Sequence, residues 1–240
     1  NLFGSARTAR PRQWGSVRLS AQTPVVTYAI IGVCVALWVG DILTKGVITQ
    51  YLGFTPIHGL YQPWRILTTA FLHVNLMHIA FNMVSLYAVG RALEPALGRG
   101  PYFCLYLLSA LGGTLGVLGW VLIDPSSALT VTVGASGAIF GLFGSVFVLQ
   151  RAAGIDVRAV VGLLAVNLLY GFIVSGVSWQ AHLGGLLFGM LATWGMLALG
   201  KPRSGMTAKK QRRRLYLGIA GMFLAELVIL VVTYMVLLNI

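Results

Sequence analysis

The chain has 240 residues, of which 58% are apolar and only 9% carry charge, and its formal net charge is +12. Soluble domains carry charge on about a quarter of their residues. A fold of this size could not remove so much apolar surface from water. The composition therefore excludes an ordinary soluble enzyme, a disordered chain and a disulfide-rich scaffold. It indicates an all-α bundle that crosses a membrane several times.

Apolar stretches of about 20 residues, the length needed to cross a bilayer, predict seven transmembrane helices. The fourth and fifth are short for a crossing. The seven lie at about 24–43, 69–90, 101–123, 134–150, 157–174, 179–199 and 215–238. The predicted division is a cytoplasmic N-terminal segment 1–23, a six-helix core 24–199, a basic cytoplasmic linker 200–214 and a seventh helix 215–240.

Positive charge is distributed unequally across the predicted membrane. Fifteen of the seventeen Lys and Arg residues fall on one side of these spans, and cytoplasmic loops carry such an excess. This predicts a cytoplasmic N-terminus and an external C-terminus. The basic run 209–214, which includes Lys209, Lys210 and Arg214, is predicted to contact anionic lipid. Nucleic-acid binding is disfavoured, because no aromatic pattern or recognition motif accompanies the run.

Three spans that run inward from the outer side carry polar residues at similar depth. Span two holds His78 and Asn82, which lie one turn apart on one helical stripe. Ser136 lies in the first turn of span four, and His182 in the first turn of span six. Polar groups within a membrane are costly and mark function or a buried contact. The three helices are therefore expected to bring these groups together.

Small residues at a spacing of four provide a way to pack two of these helices. Gly137 and Gly141 form one GxxxG pair on span four, and Gly185 and Gly189 form another on span six. Such pairs let helix backbones approach closely. They also occur as packing motifs with no chemistry attached, but packing alone does not explain an imidazole beside a serine.

A serine next to a histidine indicates nucleophilic catalysis. A hydroxyl is a weak nucleophile until a base removes its proton, and neutral histidine is the usual base. Ser136 and His182 are thus a candidate catalytic dyad. The tetrahedral intermediate also needs hydrogen-bond donors for its oxyanion. The backbone N–H of Ser136, together with His78 and Asn82, could supply them.

These motifs together resemble the rhomboid family of intramembrane serine proteases. The matching pieces are Trp64-Arg65, His78-x-x-x-Asn82, Gly134-Ala135-Ser136-Gly137 and Ala181-His182-Leu183-Gly184-Gly185, between about Trp64 and Gly189. The resemblance implies a rhomboid-like bundle of six helices plus one. It also implies Ser136 and His182 as the dyad, and His78, Asn82 and the Ser136 amide as the oxyanion hole. The implied substrates are transmembrane proteins, cut near or within the bilayer.

Two positions depart from the family pattern. Phe140 stands where many members carry a tyrosine that stacks on the catalytic histidine, so stacking is expected without the hydroxyl. Thr69 stands where some members carry a further histidine. Gly134, Gly137 and Phe140 are expected to shape the site. Because the two glycines are small, a small substrate side chain is expected before the cut bond.

No cofactor is implied, and a metal site of His73, His78 and His182 is disfavoured. On one continuous helix, His73 and His78 would diverge by about 140°. Two other functions stay open. A catalytically silent relative could bind membrane clients, although such relatives typically lack the serine or histidine. A transporter would be expected to show repeated halves with broken helices, and no such repeat is found. Glu226, in the middle of span seven, has no assigned role.

Overall fold

The computed structural model describes residues 23–174, 176–201 and 203–239. Most of these are helical. The helices in chain order are α1 Val25–Leu43, α2 Val47–Leu52, α3 Pro56–Tyr61, α4 Arg65–Thr68, α5 Leu76–Leu97, α6 Arg99–Val121, α7 Ser136–Ala152, α8 Arg158–Ile173, α9 Trp179–Gly200 and α10 Ala208–Leu237. Residues 1–22 of the predicted N-terminal segment, with their four arginines, lie outside the described residues.

Five of these helices, α1, α5, α6, α9 and α10, are long and apolar enough to cross a membrane. The helices α7 and α8 are apolar but have only 17 and 16 residues. At a rise of 1.5 Å per residue they reach about 25 Å, less than a hydrocarbon core of about 30 Å. The all-α membrane bundle predicted from composition is therefore confirmed, while a count of seven complete crossings is not established.

The helix boundaries differ most from the predictions in α5, which also ends at Leu97 rather than near residue 90, and in α10. The helix α5 begins at Leu76 rather than near residue 69, because Asn75 caps it: the Asn75 side chain accepts a hydrogen bond from the His78 N–H at 2.8 Å. The segment 69–74 before Asn75 is apolar, but it forms only a short 3₁₀ turn at Thr69–Phe71 followed by three non-helical residues, so hydropathy alone placed it in the span. The helix α10 begins at Ala208 and includes the basic run 209–214, which was predicted to lie in a linker.

Glycine contacts hold α6, α7 and α9 together at the centre of the bundle. A Cβ on Gly185 of α9 would overlap the Gly137 carbonyl of α7, and one on Gly189 would overlap the Gly141 backbone. On the other side of α9, a Cβ on Gly184 would overlap the Gly112 carbonyl of α6. We call this set of contacts the glycine seam. It brings the starts of α7 and α9 side by side.

The first loop, residues 44–75, is anchored to α6 and to the segment before α7. The Thr114 hydroxyl of α6 donates to the Ile66 carbonyl at 2.8 Å, and the Tyr106 hydroxyl donates to the Ala70 carbonyl at 2.9 Å. Phe54 and Thr132 form an isolated antiparallel bridge. At the far end of α10, the Tyr234 hydroxyl donates to the Pro56 carbonyl at 3.0 Å. The loop is thus held by two helices and by the strand-like segment that leads to Ser136.

Glu94 of α5 joins α5 to the start of α1. Its carboxylate accepts hydrogen bonds from the Val26 N–H at 2.9 Å and from the Thr27 N–H and hydroxyl, each at 2.8 Å. The two N–H groups are backbone donors of the first turn of α1 that have no partner within the helix, and Pro24 supplies no side-chain cap. Glu94 is 2% exposed and therefore caps a neighbouring helix from within the protein.

Replacing Glu94 with Ala is expected to destabilise the fold by about 3 kcal/mol or more, because it leaves buried donors without an acceptor. Thermal unfolding in detergent measures the loss as a lower midpoint. Asp156→Ala is the comparison, because Asp156 also accepts a backbone N–H at a helix start, that of Arg158 at 2.9 Å, but in an exposed position where water can replace it, so a loss of only about 1 kcal/mol is expected. Equal midpoints for the two variants would contradict the capping role of Glu94.

Candidate active site

Ser136 and His182 lie within hydrogen-bond distance of each other. The Ser136 Oγ and His182 Nε2 atoms are 2.9 Å apart. Ser136 is the first residue of α7, and His182 lies in the first turn of α9, whose start is capped by the Ser178 hydroxyl. Because the glycine seam packs these helices with their starts adjacent, residues 46 apart in sequence meet. This is the geometry in which an imidazole can accept a hydroxyl proton.

An aromatic ring, rather than a carboxylate, orients the imidazole. The Phe140 ring stacks on His182 with centroids 4.1 Å apart and an angle of 11° between the planes. Within the part of the chain that the structure describes, His182 Nδ1 is buried and has no hydrogen-bond partner. Gly171 of α8 lies beside this nitrogen, where a Cβ would come within 3.5 Å. The arrangement is a two-residue pair held by packing.

Gly134 lets the His78 ring approach the segment that leads to Ser136. Its φ of +139° lies in a region that side chains with a Cβ rarely adopt, and a Cβ there would lie 2.9 Å from His78 Cε1 and Nε2. The Gly134 N–H donates to the Thr69 carbonyl at 3.0 Å. Backbone conformation and close approach therefore both require glycine at this position.

Asn82 lies one turn below His78 on α5 and is 7% exposed. Its amide nitrogen donates one hydrogen bond, at 2.8 Å, to the His78 carbonyl. An amide NH₂ group has two N–H donors, so a second donor of Asn82 remains for another acceptor. The structure thus brings the His78 ring beside Gly134 and holds the Asn82 side chain against the turn that carries His78.

His73 differs from its sequence-based description. It precedes α5, so the helical-wheel argument that separated it from His78 was wrong, and the two rings in fact pack edge-to-face with centroids 5.0 Å apart. His73 is 2% exposed. Among the described residues, no group of three or more His, Cys, Asp or Glu is placed to hold a metal ion. His73 is therefore a buried neighbour of His78.

Thr69 has a structural role that the sequence did not reveal. Its hydroxyl donates to the Thr132 carbonyl, and its own carbonyl accepts from the Gly134 N–H. These two contacts tie the first loop to the segment that ends at Ser136. The two threonines are 63 residues apart, and no local pattern marks such a pair.

Comparison with known proteins assigns the chain to a family. A family model for the Rhomboid domain matches residues 60–199, a range that includes every residue of the site. The chain is 35% identical over 184 residues to the putative rhomboid protease YdcA of Bacillus subtilis (strain 168), with 71% of this chain and 87% of YdcA covered. It is 29% identical to the rhomboid protease AarA of Providencia stuartii, with 53% and 54% covered.

A second Bacillus subtilis (strain 168) protein, the rhomboid protease GluP, is 34% identical over 155 residues. That match covers 61% of this chain but only 28% of GluP, so the chain spans less than a third of that relative. The family model and the YdcA match cover more than half of the chain and agree with its bundle of apolar helices. The chain is thus an integral, multi-pass membrane protein and belongs to the rhomboid family.

Proposed function

We propose that the protein is an intramembrane serine protease that hydrolyses peptide bonds in or near transmembrane segments of other membrane proteins. The observation that carries the proposal is the Ser136 Oγ to His182 Nε2 distance of 2.9 Å at the adjacent starts of α7 and α9. The protease names of its relatives YdcA, GluP and AarA support it. The catalytic unit is the six-helix core 24–199, with α10 as an addition.

In the proposed reaction, the Ser136 oxygen attacks the carbonyl carbon of the substrate as His182 Nε2 takes the hydroxyl proton. The tetrahedral intermediate collapses to an acyl-enzyme, and the same proton passes from His182 to the leaving amine. Water then attacks the acyl carbon with His182 again as base, which frees the acid and restores Ser136. The Ser136 N–H, the His78 ring and the Asn82 amide bind the oxyanion in both stages.

The proposed reaction limits which substrates can be cut. A closed transmembrane helix cannot present a carbonyl group, since its backbone is already hydrogen-bonded, so the substrate must unwind near the cut. The small residues beside Ser136, Gly134 and Gly137, favour a small side chain before the scissile bond in this proposal, and Phe140 helps to shape the site. Water is consumed, so the starts of α7 and α9 must communicate with an aqueous phase.

The proposed orientation follows from charge. The excess of Lys and Arg on one side of the predicted spans supports an N-terminus in the cytoplasm and a site toward the outer side of the membrane. In this orientation the basic run 209–214, which forms the first turns of α10, lies at the cytoplasmic surface. We propose that it contacts anionic lipid there.

The direct test is cleavage of a fluorogenic single-pass substrate by the purified protein in liposomes, compared with Ser136→Ala. Cleavage by the wild type alone is expected. A fluorophosphonate, which labels an activated serine without a matched substrate, is the second measurement. A well-folded wild type that neither cleaves nor labels would overturn the proposal and favour a silent, client-binding rhomboid.

Asn82→Ala is expected to lower kcat/KM by up to about 10²–10³-fold without abolishing it, because one oxyanion donor is lost. The matched control is Asn167→Ala. Asn167 makes the same type of bond within α8, from its amide to the Leu163 carbonyl at 2.8 Å, and is exposed. Cleavage kinetics measure both variants. Equal rates for Asn82→Ala and wild type would contradict the oxyanion role.

A further inference from the structure

A cleft lies where α6 and α10 begin, at the opposite end of α6 from the candidate active site. Its volume is about 690 Å³, and its walls include Gly98, Arg99 and Gly100 on one side and Arg212 and Tyr216 on the other. The two helices touch at its base, because a Cβ on Gly100 would overlap the Tyr216 hydroxyl. The cleft is therefore a concave surface built by two helices that are far apart in sequence.

Two arginines, Arg99 of α6 and Arg212 of α10, line this cleft from different helices. Arg212 lies over the Tyr216 ring, 5.6 Å from its centroid, and the Arg99 side chain is 60% exposed. The carboxylate of Glu94 is 4.0 Å from Arg99, but its oxygens already accept three hydrogen bonds from α1. The positive end of the α6 dipole adds to the same field. Two arginines in this arrangement suit a phosphate group.

A second cavity of about 440 Å³ continues from the first and shares Arg99 and Gly100 with it. It runs between α1 and α6 and is lined by apolar side chains, among them Val25, Ala29 and Val33 of α1. Val33 lies eight positions after Val25 along α1, a length of about 12 Å. A groove of this kind matches part of a hydrocarbon chain whose polar end lies at Arg99.

We propose that the two cavities form a binding site for one anionic phospholipid. Its phosphate lies between Arg99 and Arg212, and one acyl chain lies in the groove between α1 and α6. A free phosphate ion would leave the apolar groove without an occupant. A zwitterionic headgroup would bring its own cation toward two arginines. The proposal narrows the general lipid contact of the basic run 209–214 to one place, and it does not depend on catalysis.

The test is native mass spectrometry of the full chain in a non-ionic detergent, titrated with phosphatidylglycerol. The variant Arg99→Gln/Arg212→Gln is compared with Lys209→Gln/Lys210→Gln. The second variant also removes two positive charges, but they are exposed charges of the basic run 209–214 that do not line the cleft. We expect the wild type to retain one phosphatidylglycerol. We expect the arginine pair to weaken retention by about tenfold or more and the lysine pair to leave it unchanged. Ala29→Trp, which fills the groove and keeps every charge, is expected to weaken it as well.

Several outcomes would overturn the proposal. Equal losses for the two charge pairs would mean diffuse attraction to a polybasic surface. Displacement of the lipid by inorganic phosphate, with no effect of Ala29→Trp, would mean a simple anion site. Equal retention of phosphatidylcholine would remove the requirement for negative charge. Because Arg99 lies near Glu94, the single variant Arg212→Gln provides a second reading that leaves the cap of α1 intact.

Discussion

Replacing His182 with Ala is expected to lower kcat for cleavage of a membrane substrate by about 10⁴-fold or more, the size of effect seen when a serine nucleophile loses its base. Ser136 Oγ would lose the nitrogen that lies 2.9 Å away, and its proton would have no acceptor of suitable basicity. Binding of substrate would change much less, so KM should stay close to that of the wild type. Initial rates in liposomes measure both constants.

The rate loss caused by His182→Ala should not add to the rate loss caused by Ser136→Ala when the two substitutions are combined. Residues that act as one unit are strongly non-additive, so the double variant is expected to be no slower than either single variant. The control is His58→Ala, since His58 is exposed and bonds to the Thr55 hydroxyl at 2.6 Å in the first loop. A His182→Ala protein that kept a rate within tenfold of the wild type would rule out the dyad.

The substitution Gly185→Ala is expected to reduce cleavage by about a hundredfold and to lower the unfolding midpoint. Its Cβ would overlap the Gly137 carbonyl, which is backbone and cannot rotate away. The two helices must then separate, and a shift of about 1 Å in a catalytic pair costs about 10² in rate. Overpacking of this kind also costs about 1–3 kcal/mol of stability.

Gly119→Ala in α6 is the matched control for the seam. It makes the same change in a helix, but nothing lies within 4 Å of its Cβ. Helix propensity alone would then favour alanine, by up to about 1 kcal/mol. Rates and unfolding midpoints are measured for both variants in one detergent. If Gly185→Ala behaves like Gly119→Ala, close packing of α7 on α9 does not hold the pair in place.

Much of the bundle and the meeting of Ser136 with His182 could be anticipated because both depend on short-range regularities. Apolar length predicts a helix, and the GxxxG pairs predict which faces of two helices approach. The starts of spans four and six were then expected to lie at one depth, and the starts of α7 and α9 are adjacent in the structure. The stacking of Phe140 on His182 was expected from the family resemblance, which places an aromatic residue one turn after Ser136.

Features set by contacts between distant segments could not be anticipated in this way. The apolar run before Asn75 has the hydropathy of a span, so the start of α5 was placed seven residues early, although Asn75 is a preferred capping residue. The approach of His73 to His78 depends on that non-helical segment. The basic run was assigned to a linker because charge lowers its hydropathy, yet Lys, Arg and Gln are good helix formers.

If Ser136 and His182 act as proposed, their positions on α7 and α9 have a consequence for biosynthesis. A ribosome adding about 5–20 residues per second needs about 2–9 s to extend the chain from Ser136 to His182. During that interval the serine is already present but its base is not, and the glycine faces of α6 and α7 have no α9 to pack against. Under the proposed function, a nascent or truncated chain that ends before α9 cannot cut its neighbours in the membrane. Under the proposed function, the synthesis of α9 is therefore the step at which the active site becomes complete.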